Sequence, residues 1–162
     1  MQRNQLLFRI ANLPQVKLHV ASGLSETEHM ALLRRSKIAF NHSLRQEMNL
    51  RAYEATACGA LLLMEADNLE VNRFLQPDTA YVPYTPQNLE AQIQHYLAHP
   101  RARERIAQQG QKAIQSCHYS ARFGALLALL QASWNPQEWQ AQKLPPAEET
   151  DDFLLAHALG HM

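Results

Sequence analysis

Two short apolar runs, Lys37-Ile38-Ala39-Phe40-Asn41 and Ala60-Leu61-Leu62-Leu63-Met64, stand on either side of a polar stretch. Neither alternates apolar with polar positions, so both suit strands covered by helices on each face, as in a parallel sheet. Between them Leu50 to Cys58 is rich in helix formers, and Gly59 stands where a left-handed residue closes a helix. The pattern predicts a strand, a loop, a helix and a second strand in direct succession.

The flanking chain continues this rhythm. Leu6, Leu7, Ile10 and Leu13 recur at helical spacing until Pro14 stops them. Val16, Leu18 and Val20 alternate with Lys17 and His19, which predicts a half-buried strand near a sheet edge, ended by Gly23. Ser25 with Glu28 forms a capping box for a helix that turns Met30 and Leu33 inward and runs to Arg35. After Met64, Asp67 to Phe74 reads as a short helix with Leu69 and Phe74 inward, and Pro77-Asp78 as a turn. Tyr81-Val82-Pro83-Tyr84 reads as a strand, and Pro83 confines it to an edge.

Thr85-Pro86 reads as a cap and first residue of a helix whose Leu89, Ile93, Tyr96 and Leu97 form an apolar stripe up to Pro100. Arg101 to Ser116 predicts another helix, with Ile106, Ala113 and Ile114 inward and Gly110 as its weak point. Ser120 opens a last helix that lays Phe123, Leu126, Leu127 and Leu130 across the sheet. From Trp134 the periodicity fades into a Pro-, Gln- and acid-rich tail. The expected organisation is one Rossmann-like domain over residues 1–132 and an extended tail over 133–162. The class is α/β, a parallel sheet flanked by helices.

Composition narrows the function. The 162 residues are 46% hydrophobic, and 15 basic residues balance 15 acidic ones. That balance leaves no global field to gather nucleic acid or an anionic membrane, and favours a small-molecule or protein partner. Two cysteines in a chain of this size suggest a reducing compartment, and the first residues are too weakly apolar for a signal peptide or membrane span. A cytoplasmic protein is the expectation.

Candidate chemistry gathers at the carboxyl end of the first apolar run, the edge where open α/β sheets bind ligands. Asn41, His42, Ser43, Arg45, Glu47 and Asn49 lie there. Asn49 is placed to cap the helix, whose free N–H groups and dipole favour phosphate. Arg51 and Glu54, three residues apart, project from one side of it. A ligand with phosphate and hydroxyl groups, such as a nucleotide sugar, fits that set.

The string Asn49-x-Arg51-x-x-Glu54-Ala55-x-x-Cys58-Gly59, between the two runs, resembles the donor-binding half of GT-B glycosyltransferases, most closely the group-1 and CgeB-like branch. The resemblance extends from about Gln5 to about Leu130. It implies transfer of a hexose-type group from a nucleotide-diphosphate sugar, bound as substrate, to an unidentified acceptor, with no metal or other cofactor. It implies Glu47 and Arg51 as catalytic residues, and Ser43, Arg45, Asn49, Leu50 and Glu54 as donor-binding ones. Glu54 would accept hydrogen bonds from the ribose, and Arg51 or Arg45 would neutralise the departing diphosphate.

Group-1 retaining enzymes place their first glutamate eight residues before the second. Gln46 occupies that position here and Glu47 lies seven before, so either side chain can meet the sugar. The earlier glycine-bearing strand and the acceptor domain of GT-B enzymes are not in this sequence, which implies a partner domain or chain. An alternative is a non-catalytic α/β interaction module that keeps the fold. Cys58 reads as packing, Gly59 as a cap, and His157 with His161, at i and i+4, as a weak metal pair.

Overall fold

Strand β2 (Leu61–Glu65) is buried at all five positions and forms the centre of a three-stranded parallel sheet, between β1 (Ile38–Phe40) and β3 (Val82–Tyr84). Ile38 pairs with Leu61 and Leu63 with Val82. The computed structural model describes residues 2–134. Alternate β2 side chains feed two cores, because successive side chains of a strand point to opposite faces. Leu61 and Leu63 pack with Leu6 and Ile10 of α1 (Gln2–Ala11), Ile93 of α4 (Leu89–Ala98) and Ile106 of α5 (Pro100–Ile114). Leu62 and Met64 pack with Met48, with Ala52 of α3 (Leu50–Ala57), and with Val71, Leu75 and Tyr81. Burial of each such large side chain stabilises the fold by about 1.5–3 kcal/mol. The Rossmann-like α/β class is therefore realised, and β3 is an edge strand as Pro83 requires.

Helix α2 (Glu26–Arg35) carries the full capping box, with Ser25 and Glu28 satisfying each other's backbone N–H groups. Asn49 caps α3 by accepting from the Ala52 N–H at 3.3 Å, and Gly59 follows with φ +83°.

Several expectations are corrected. Val16 and Leu18 pack against the core while Lys17, His19 and also Val20 are exposed, and the segment joins no ladder. Alternation selects a buried face, whereas a strand also needs a neighbour about 4.8 Å away. Asp67 to Phe74 is reduced to one turn, Val71–Arg73, and Leu69 is exposed, because Asn68 turns inward instead. Helix α4 starts at Leu89 behind Asn88, whose side chain accepts from the Thr85 N–H, so Pro86 lies in a turn. Ala113 is exposed, one position off the buried stripe of α5. Gly110 is no weak point: a Cβ there would lie 2.3 Å from Ala80 O, so only glycine lets α5 approach that backbone.

The described chain forms two units, one ending at His118 and one starting at Tyr119. In the second, α6 (Tyr119–Ser133) buries none of its residues, and Phe123, Leu126, Leu127 and Leu130 are exposed. The tail beyond Trp134, with His157 and His161, lies outside the described residues.

Candidate functional site

The carboxyl edge of the sheet is organised by Asn41, the residue after β1, which is 2% exposed. Its backbone oxygen accepts from Tyr84 Oη at 2.9 Å, its Nδ2 meets Met64 Sδ at 3.0 Å, and its Oδ1 accepts from Arg51 Nε at 3.0 Å. Tyr84 of β3 thus holds the Asn41 backbone and Met64 of β2 its side-chain amide, and that side chain aims Arg51 from the first turn of α3. His42 Nδ1 lies 3.0 Å from the same Tyr84 hydroxyl. Burial raises the Tyr84 phenol far above its usual pKa, so it stays a neutral donor.

Arg51 lines a cleft of about 810 Å³ together with Arg3, His29, Asn41 and the outer side of β1. Burial, and then the positive charge of Arg3, lower the Arg51 pKa, while Glu54 and Glu65 act in the other direction. Two guanidinium groups therefore approach each other, and no Asp or Glu lines the cleft among its described residues. Like charges brought together in partial burial favour an anion between them.

Glu54 does not line the cleft. Its Oε2 lies 3.1 Å from His29 Nε2 on α2, both side chains about one-third exposed, so its carboxylate sits at the rim rather than in a packed interior.

The loop from Ser43 to Asn49 is tied from below. Glu65 at the end of β2 accepts from the Ser43 N–H at 3.0 Å, from the Ser43 hydroxyl, and from Asn68 Nδ2 at 3.1 Å. Asn68 Nδ2 also reaches Glu47 O at 3.0 Å, and the Met48 N–H donates to Glu70 Oε2 at 3.0 Å. Gln46 has φ +59° and reaches Asp67 Oδ2 at 3.2 Å. Glu65 Oε2 is buried with no partner among the described residues.

The expected site residues divide accordingly. Arg51 is in the cleft and Glu54 is at its rim through His29. Ser43 is buried and its hydroxyl is directed to Glu65. Arg45 is exposed, and its N–H is held by Glu47 Oε2 at 2.8 Å, so the Glu47 carboxylate folds back on its own loop. Asn49 uses its side chain as a cap, and Leu50 is exposed beside it. Arg3, His29, Glu65, Asn68 and Tyr84 are additions that sequence reasoning misses, because each is distant along the chain from the residues it joins. Only His42 and Asn41 carried a signal, their place directly after a strand.

Cys58 is half-buried, its Sγ 4.0 Å from Met30 Sδ, and burial raises its pKa, which suits packing rather than nucleophilic attack. Among the described residues no three His, Cys, Asp or Glu side chains group as a metal site, and no helix is long and apolar enough to cross a membrane.

A family model described as glycosyl transferase-like matches residues 3–128. A comparison with the curated proteins finds no match.

Proposed function

The chain belongs to the glycosyl transferase-like family, and from that membership we propose that it forms the nucleotide-sugar-binding half of a GT-B transferase of the group-1 or CgeB-like branch. The observation that carries the reading is the cleft mouth, where Arg3 and Arg51 converge beside Asn41 with no carboxylate in the lining.

The donor diphosphate lies at the start of α3, over the Leu50 and Arg51 N–H groups and against Arg51. As the bond from anomeric carbon to diphosphate oxygen breaks, charge grows on that oxygen. A guanidinium already fixed by Asn41 meets it without reorganising, an effect worth about a hundredfold or more in rate. Glu54 accepts from the ribose hydroxyls, sharing its second oxygen with His29. Glu47 or Gln46 meets the sugar from the loop by exchanging its bond to the Arg45 N–H or to Asp67 for one to a sugar hydroxyl. The donor is a substrate, and the acceptor comes from a further domain or chain. Family membership does not favour the interaction-module alternative.

Titration calorimetry with UDP-, GDP- and ADP-sugars tests this. One of them binds at micromolar to millimolar concentration, and binding weakens on Glu54→Ala. Silence from all of them at millimolar concentration overturns the reading.

A further inference from the structure

Proton accounting fixes the chemistry of one ring at the carboxyl edge of the sheet. Tyr84 Oη has a single hydrogen, and the Asn41 backbone oxygen 2.9 Å away can only accept, so the phenol donates there. Burial raises the phenol's pKa, which keeps that hydrogen in place. His42 Nδ1 lies 3.0 Å from the same hydroxyl and therefore carries a hydrogen of its own, which it donates to the phenol oxygen. A neutral imidazole protonated on Nδ1 bears its lone pair on Nε2. The tautomer of His42 is thus chosen by Tyr84.

The second nitrogen of the ring is open. His42 is half-buried, and its Nε2 forms no hydrogen bond among the described residues. The buried side-chain nitrogen or oxygen left without a partner among those residues is Glu65 Oε2 alone, so His42 Nε2 reaches the surface. Asn41 N donates to Leu63 O at 2.9 Å, and in a parallel ladder the N–H and C=O of one residue face the same neighbour. Asn41 O, the Tyr84 hydroxyl on it and His42 Nδ1 therefore stand on the β2 side, and the ring is anchored toward the middle of the sheet rather than toward the unpaired side of β1.

Asn41 ties this ring to the anion site, since its side chain holds Arg51 and its backbone oxygen holds the phenol that sets His42. On the nucleotide-sugar reading, on which this inference rests for its ligand, Glu54 marks the ribose and Arg51, nearly one turn closer to the start of α3, marks the diphosphate. The same line continues past the start of α3 and over the carboxyl ends of β1 and β2, where ligands of open α/β sheets lie and where His42 opens the Ser43 to Asn49 loop. We propose that His42 is a donor-binding residue that recognises the transferred sugar, its Nε2 accepting a hydrogen bond from one hydroxyl of the hexose. The tautomer is what makes this recognition possible: with the hydrogen on Nε2 instead, the ring would offer that hydroxyl a donor and no acceptor.

The test has one arm without ligand and one with it. Nitrogen NMR of the histidine rings, in mildly alkaline buffer where imidazole is neutral, finds the His42 hydrogen on Nδ1, and a hydrogen on Nε2 overturns the proposal. Calorimetry then compares UDP-glucose with UDP, GDP-mannose with GDP and ADP-glucose with ADP. His42→Asn keeps a donor for the Tyr84 oxygen but falls short of the sugar. It weakens the nucleotide sugar that binds by about fivefold, the worth of one hydrogen bond, and leaves the matching nucleotide unchanged. His42→Gln, which puts an acceptor near the place of Nε2, recovers at least half of that loss. Nucleotide-sugar binding that His42→Asn leaves unchanged, or equal weakening of the sugar and of its nucleotide, overturns the role of His42 and keeps the nucleotide-sugar reading. Silence from every ligand removes that reading and the role of His42 with it.

Discussion

Arg51 Nε lies 3.0 Å from Asn41 Oδ1, and this bond joins the first turn of α3 to the end of β1. A long, flexible side chain is thereby held in one orientation by a residue that the sheet itself holds, which is the condition for a cation to act without reorganisation. Arg51→Gln lowers nucleotide-sugar affinity tenfold or more, since hydrogen bonds to charged groups are worth about 1.5–3 kcal/mol. Asn41→Ala lowers affinity and also destabilises the fold by about 1–3 kcal/mol, because it removes the buried amide that bridges Met64 Sδ and Arg51 Nε while the bond from Tyr84 to the backbone oxygen stays. Calorimetry and urea unfolding separate the two, and an unchanged affinity in Arg51→Gln removes Arg51 from the site.

The rim pair separates binding from stability. His29 and Glu54 are about one-third exposed, so their pairing contributes no more than about 1 kcal/mol. Glu54→Ala leaves the urea midpoint nearly unchanged and weakens nucleotide binding about tenfold. A large stability loss with unchanged binding would make Glu54 a structural residue only.

Glu65 holds the loop through one oxygen while its other has no partner among the described residues. Glu65→Ala strands the Ser43 N–H and Asn68 Nδ2 and costs about 2–4 kcal/mol. Glu65→Gln, which keeps one acceptor oxygen, costs less than half as much. Equal losses in the two variants, measured by urea unfolding, contradict this account.

Gly110→Ala is destabilising by more than about 2 kcal/mol, although alanine favours a helix interior by about 1 kcal/mol over glycine. The new methyl would lie 2.3 Å from Ala80 O, and backbone cannot move aside cheaply. Thermal unfolding reads the sign directly, and a raised midpoint refutes the close approach.

Acid weakens the contact between α1 and α4. Arg9 donates to Glu90 Oε2 at 2.6 Å, and this hydrogen bond lowers the Glu90 pKa below its ordinary 4.5. A carboxyl group with a depressed folded pKa contributes stability above its unfolded pKa and loses it as pH falls through the folded value. Wild-type stability therefore falls below pH 4.5 more steeply than that of Glu90→Gln, and the two curves converge in stronger acid. Parallel curves between pH 6 and pH 3 contradict the linkage.

Local chemistry made much of the chain legible. The Ser25-Glu28 box, the Asn49 cap, the glycine at position 59 and the all-apolar run Leu61 to Met64 each state their structure, because caps and burial patterns act over a few residues. Leu69, Pro86 and Ala113 misled for the same reason: a position on a stripe or beside a cap carries no information about which neighbour arrives to cover it.

What the sequence by itself determined is the parallel α/β unit, its edge at Pro83, and the place of Arg51 and Glu54 on one short helix. What only the tertiary structure decided is their partners. Asn41 aims Arg51, His29 holds Glu54 from 25 positions away, Arg3 adds the second cation, and Val16 to Val20 stops short of becoming a strand. Nearest-neighbour sterics and periodic burial write the elements into the chain, whereas a pairing between remote residues exists only once packing has fixed how the layers cross.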